Sequence, residues 1–132
     1  MSTRLKLEDL NIWQEAQALS RDIFEFTKQT LFIYDYGLIR QMRDSSGSIM
    51  DNIAKGFERD GNREFIQFLA ISKDSCGELR SQITRSYDLE YIDGTPYHQF
   101  YQSAYTLSCR IDNFIKYLKP SNYRASSLMF HH

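Results

Sequence analysis

Residues 45 to 59 read SSGSIMDNIAKGFER and put Ser45, Ser46, Gly47, Ser48, Lys55 and Gly56 close together. Hydroxyls, glycines and a lysine are the residue types that cradle phosphates or serve as nucleophiles. A Walker loop needs Gly-x-x-x-x-Gly-Lys-Ser/Thr, so that backbone amides wrap the phosphates while the lysine reaches them. Here Phe57 follows Gly56, and Lys55 lies on its wrong side. A nucleophile elbow needs Gly-x-Ser-x-Gly on a strand-to-helix turn. SGSIM lacks the second glycine, and no strand pattern precedes it. Metal chemistry fares no better. Di-iron bundles carry inward Glu-x-x-His pairs, whereas the only histidine outside the tail is His98. The Arg-x4-6-His arrangement of nuclease bundles finds no match outside the tail. Cys76 and Cys109 form no Cys-x-x-Cys pair and read as free thiols, Cys76 as a small core residue. The expectation is a protein with no catalytic site, metal or cofactor.

With catalysis set aside, the totals bound what remains. A chain of 132 residues suits one domain with a real core. Hydrophobic residues at 42% and charged residues at 25% are values of a folded globular protein, which excludes disorder. The formal net charge of −1 leaves nucleic-acid contact to a local patch. MSTRLKLEDL lacks the apolar run of a signal peptide, and no stretch reaches membrane-span length. A reduced, cytoplasmic setting is expected.

Apolar and small residues recur with a helical period in four segments. Ile12, Ala16, Leu19, Ile23 and Phe26 mark the first, and Met42, Ser46, Ile49, Ile53 and Phe57 the second. The third runs Phe65, Leu69, Ser72, Cys76, Leu79, Ile83, and the fourth Phe100, Ala104, Leu107, Ile111, Phe114, Leu118. Alternating steps of four and three give the 3.5-residue seam of helices packed nearly antiparallel. Breaks fall at YDYG (34–37), RDGN (59–62) and YIDGTP (91–96). Asp60 or Asn62 is expected to cap the third helix, and Thr95 with Pro96 to start the fourth. Short connections make sequential helices antiparallel neighbours. The predicted fold is therefore all-α, an antiparallel up-down-up-down four-helix bundle over residues 1–120. Residues 121–132 lack a period and are expected to form a mobile tail. His131 and His132 at its end read as chain or as the stub of a purification tag.

In such a bundle the odd stretch becomes a helix-packing surface. Gly weakens a helix by about 1 kcal/mol relative to Ala, so tertiary contact must supply the stability. Ser45, Ser48, Asn52 and Gly56 form a stripe beside the second seam, and Ser72, Ser75, Cys76 and Gly77 answer on the third helix. Close backbone approach between those helices is predicted. Asn52 then lies near the interior and needs a partner, either backbone or Glu78.

YGLIRQMRDSSGSIMDNIAKGFER followed by REFIQFLAISKDSCGELRSQI resembles the 23S rRNA intervening-sequence proteins, a four-helix-bundle family. A related branch includes the accessory protein of diversity-generating retroelements. The resemblance is carried by Tyr36, Gly37, Leu38, Gln41, Arg43, Ser48, Ile49, Asn52, Ile53, Ala54 and Gly56, then by Phe65, Phe68, Leu69, Ser75, Gly77, Glu78 and Leu79. The opening also matches through Leu10, Ile12, Trp13 and Ala16. It spans about Leu5 to Lys119. Asp44, Met50 and Lys55 depart from the family's usual basic residue, proline and acidic residue. The resemblance implies a cytoplasmic, non-catalytic bundle that assembles as a homo-oligomeric ring, typically a pentamer. For the retroelement branch it further implies binding of a reverse transcriptase and of nucleic acid.

Two surfaces are candidates for partners. Between residues 40 and 85 eight basic residues interleave with seven acidic ones, the pattern of a solvated face. Near the end, Arg110, Lys116, Lys119 and Arg124 oppose Asp112 alone, with Tyr117 and Tyr123 between them. That set could grip phosphates and stack bases of RNA or DNA. Tyr97, Tyr101 and Tyr105 are spaced by four along the last helix, and 14% of the chain is aromatic, more than one short bundle buries. Tyrosine-rich faces are typical of interfaces, so a homo-oligomer through these residues is expected. The competing expectation is a purely structural, protein-binding bundle with no nucleic-acid role.

Overall fold

The computed structural model describes residues 5–32 and 34–119. They form four helices, α1 (Asn11–Phe26), α2 (Tyr36–Phe57), α3 (Asn62–Asp88) and α4 (Gly94–Leu118). Short 3-10 turns at Leu7–Asp9 and Thr30–Phe32 precede α1 and α2. Among the described residues there is no strand, and the four-helix bundle expected from the heptad-like spacing is what forms. Each helix packs on its sequence neighbour and α4 returns beside α1. The α2–α3 contact is the most extensive and the α1–α4 contact the least.

The four seams become the core. Ala16, Ile23, Ile49, Ile53, Leu69, Leu79, Ile83, Ala104 and Ile111 are completely buried, and Cys76 is buried among them. Phe26, Phe57, Phe65, Phe100, Phe114 and Leu118 close the seams at the helix ends, half-buried. At the end formed by the α1–α2 and α3–α4 connections, Phe32 packs against Phe26 (5.9 Å) and Tyr91 (5.2 Å). The Tyr91 hydroxyl donates to Asp35 Oδ2 at 2.9 Å, while Asp35 Oδ1 accepts from the Leu38 amide and so caps α2. One carboxylate thus starts a helix and ties two loops together. Holding the proton on that hydroxyl raises the Tyr91 phenol above its ordinary value of 10.0.

The helix starts depart from expectation in an instructive way. Neither Asp60 nor Asn62 caps α3. The N-cap is Gly61, at φ 89°, because the chain reverses between Phe57 and Asn62 through a left-handed turn that glycine adopts without strain. Asn62 instead donates to the Leu118 carbonyl at 3.0 Å, satisfying the far end of α4. Helix α4 begins at Gly94, before Thr95, so Pro96 stands in its first turn, where a missing N–H removes no intrahelical bond. α3 ends in a Schellman turn, with Tyr91 N donating to Ser86 O (2.8 Å) and Glu90 N to Tyr87 O (3.0 Å). Glu90 takes the left-handed position at φ 63°, a place that favours glycine. The expected tail, with Arg124, His131 and His132, lies outside the described residues.

Candidate functional site

The stretch 45–59 is packing surface. Ser72 Oγ donates to the Ile49 carbonyl across the α2–α3 seam at 2.8 Å, and Ser75 Oγ donates to Ser48 Oγ at 3.0 Å. Asn52 Nδ2 donates to both the carbonyl and the hydroxyl of Ser48, each at 2.9 Å. The backbone is therefore its partner. Glu78 is exposed and takes no part. Gly56 marks the tightest approach: a Cβ there would lie 2.7 Å from Phe65 Cδ1 and 2.9 Å from Phe68 Cβ. Gly77 is different. A Cβ on it would meet only the Arg80 guanidinium, at 3.7 Å, so the close approach expected on both helices holds at Gly56 and not at Gly77.

On the α3–α4 side lies a row of aromatic rings. Tyr97 stacks on Tyr87 at 4.5 Å with 18° between planes, and Tyr101 follows 5.9 Å from Tyr97. Tyr105, 48% exposed, continues the row. The Arg80 guanidinium lies 5.7 Å from the Tyr101 ring and 5.5 Å from the Tyr105 ring. Its Nε is buried without a hydrogen-bond partner, and no carboxylate pairs with it among the described residues. Behind it, burial pushes the Cys76 thiol up to about 12 against the lowering effect of Arg80, which keeps it an inert core residue. Further along, Asp112 accepts from Lys73 (2.9 Å) and pairs with Lys116 (3.3 Å), and both cations hold its carboxyl below the ordinary value of 3.8.

The basic cluster expected near the end of α4 is not gathered on one face. Arg110 pairs with Glu15 of α1, whereas Lys116 pairs with Asp112 on the α3 side. Lys119 is exposed at the end of α4, and Arg124 lies outside the described residues. Tyr117, 71% exposed, stacks on Phe114 at 5.9 Å. His98 is exposed and lines a hollow between α1 and α4, and among the described residues no group of three His, Cys, Asp or Glu side chains could hold a metal. No described helix is long and apolar enough to cross a membrane.

The family model for the 23S rRNA-intervening sequence protein matches residues 8–121, nearly the whole described bundle. The chain belongs to this family. A crystal structure of a protein of unknown function from the S23 ribosomal protein family of Bacteroides thetaiotaomicron superposes with a TM-score of 0.73. The two share 18% identity over 80% of this chain and 98% of the other, a likeness of fold. No curated protein matches this chain. Neither the family nor the structural neighbour points to an enzyme class.

As a 23S rRNA-intervening sequence protein, the chain uses the positions of its resemblance for architecture. Arg43 Nε donates to Thr27 Oγ1 at 2.9 Å and Nη2 to the Phe24 carbonyl at 3.3 Å, with its guanidinium 4.2 Å over the Phe24 ring. A cation from α2 thus reaches one carbonyl in the last turn of α1 and the hydroxyl of its C-cap residue. Gln41 accepts from Arg85 of α3 at 2.9 Å. Arg80 and Tyr87, the centre of the aromatic row, were not singled out by sequence reasoning. Their signal was a step of seven on α3, from Lys73 to Arg80 to Tyr87, which aligns them on the face that meets α4.

Proposed function

We propose that this intervening-sequence protein is a non-catalytic, self-assembling scaffold whose subunits meet through the tyrosine–arginine face of α3 and α4. The observation that carries this reading is Arg80, an unpaired guanidinium spread over Tyr101 and Tyr105 with one nitrogen buried and unsatisfied. Tyrosine and arginine are the residues most enriched at the energetic centres of interfaces. A carboxylate or carbonyl from a second subunit would pair with the outer guanidinium nitrogens of Arg80, and Tyr87, Tyr97 and Tyr105 would supply flat contact area at low entropy cost. Five copies is the stoichiometry the family resemblance implies.

RNA, DNA or a reverse transcriptase as partner rests on that resemblance alone. The ion pairs of Arg110 with Glu15 and of Lys116 with Asp112 argue against a free phosphate grip, because each contact would have to displace a carboxylate.

Light scattering on a dilution series tests the scaffold. The wild type should run as a multiple of its 15.6 kDa chain, and Tyr105→Glu and Arg80→Glu should drop toward one subunit with unchanged helical circular dichroism. A single-subunit mass at every concentration would contradict the reading. Fluorescence anisotropy with a structured RNA and a mixed-sequence single strand decides the partner. Binding that falls steeply with salt would overturn the protein-only version, and Lys116, Lys119 and Arg124 would then be the first residues to substitute.

A further inference from the structure

A hollow of about 450 Å³ opens between the start of α1 and the last turns of α4, at the end of the bundle away from Tyr91. Leu10 and Ile12 line it from one side, Phe114 and Tyr117 from the other, and no residue of the tyrosine–arginine face takes part. Tyr117 stays exposed although it stacks on Phe114. The hollow is therefore apolar and open to water. Lys119, the C-cap of α4, stands two residues beyond Tyr117, so the chain leaves α4 at the hollow's edge.

Residues 120–132 lie outside the described residues and read PSNYRASSLMFHH. Pro120, Ser121 and Asn122 are residues that end a helix and turn a chain. Leu128, Met129 and Phe130 then stand in a row, and consecutive large apolar side chains call for cover. From Lys119 to Leu128 an extended chain spans up to about 30 Å. The way back along α4 from Lys119 to Arg110 is only about 14 Å. The family match ends at residue 121, so the apolar run lies beyond it.

We infer that the segment from Pro120 to Phe130 turns back over the end of α4 and seats Leu128, Met129 and Phe130 in this hollow, as a strap from α4 onto the first turn of α1. Connectivity favours this occupant over a separate partner. A tether of about ten residues holds the apolar run at an effective concentration on the order of millimolar, and closing so short a loop costs little entropy. The strap would join α1 to α4 on the side where their direct contact is least extensive.

The test uses the full chain carrying Cys109→Ser and Ser127→Cys, with a nitroxide attached at position 127. Cys76 is buried and stays unlabelled. Amide signals at Asn11 and Asn113 should broaden most. They should broaden more than Asn62, although Asn62 bonds to the Leu118 carbonyl and so stands beside the tether. Tyr87, at the far end of the bundle, should keep its signal. Leu128→Ser/Phe130→Ser should restore Asn11, and so should Asn113→Trp, which fills the hollow from an exposed position. Without the nitroxide, the serine pair should speed hydrogen exchange of the Gln14 amide, bonded to the Leu10 carbonyl, about tenfold, the scale of one large side chain losing its burial. Broadening centred on Asn62, or Asn11 broadening that persists in both variants, would overturn the proposal. A mixture of nitroxide-labelled chain and isotope-enriched, unlabelled chain separates the copies. Asn11 of the enriched chain should stay sharp, and broadening there would assign the hollow to a neighbour's segment and overturn the strap.

Discussion

The bundle's two lateral seams are built from opposite materials. Between α2 and α3, small side chains let the backbones approach, and serine hydroxyls bridge them through Ser72 to Ile49 and Ser75 to Ser48. Between α1 and α4 the contact is the least extensive, and a groove lined by Leu19, Phe26, Phe100 and Leu107 remains. A helix rich in glycine and serine has poor intrinsic propensity, so α2 depends on α3 for its stability. α1 is held by its buried Ala16, Leu19 and Ile23 and by Arg43, which reaches from α2 to the Phe24 carbonyl and the Thr27 hydroxyl. The α2–α3 seam is thus the extensive, sealed contact, and the α1–α4 side is the least extensive and keeps an open hollow.

The comparison breaks first at Gly56. Gly56→Val should cost about 2–3 kcal/mol by denaturant unfolding, since its Cβ would collide with Phe65 and Phe68. The matched change on the other seam, Ala18→Leu into the groove, should stay within about 0.5 kcal/mol of the wild type. Equal penalties would mean the seams do not differ. Next comes the clamp. Arg43→Ala should cost about 1–2 kcal/mol and speed hydrogen exchange at the end of α1 more than in α3. A smaller effect of opposite sign is expected at Gly77. With open space around it, Gly77→Ala should raise stability by up to about 1 kcal/mol, and a loss there would show that α3 and α4 meet more tightly than the structure describes. The smallest effect is acid-dependent. The folded-state pKa of Asp112 is depressed by Lys73 and Lys116, so its stabilisation is fully present above its ordinary value of 3.8 and disappears as pH falls through the folded value. The stability gap between wild type and Asp112→Asn should therefore be visible near neutrality and close on acidification below about pH 4.

The seams were legible in the sequence because a 3.5-residue repeat survives any choice of neighbour. Ile49, Ile53, Leu69, Cys76 and Ile111 are buried as their spacing requires. The caps were less legible. Asn62 is a good capping residue by type, yet the turn geometry gives the cap position to Gly61 and turns Asn62 toward Leu118. Gly56 and Gly77 look alike in sequence, and only the register of α2 against α3, which brings Phe65 and Phe68 over the first, separates them. Arg80 was one charge among eight until the fold laid it across Tyr101 and Tyr105. The groove left no mark at all in the sequence, being a gap between two helices rather than a pattern along one.

The division of labour between a sealed interior seam and an exposed tyrosine face can be read by hydrogen exchange on the intact chain at high and low protein concentration. Amides around Ile49 and Ser72 should keep the same protection at both, because that seam is intramolecular. Amides of α4 from Tyr97 to Tyr105 should lose protection on dilution as subunits part. Protection of α4 that is indifferent to concentration would contradict the self-assembling scaffold.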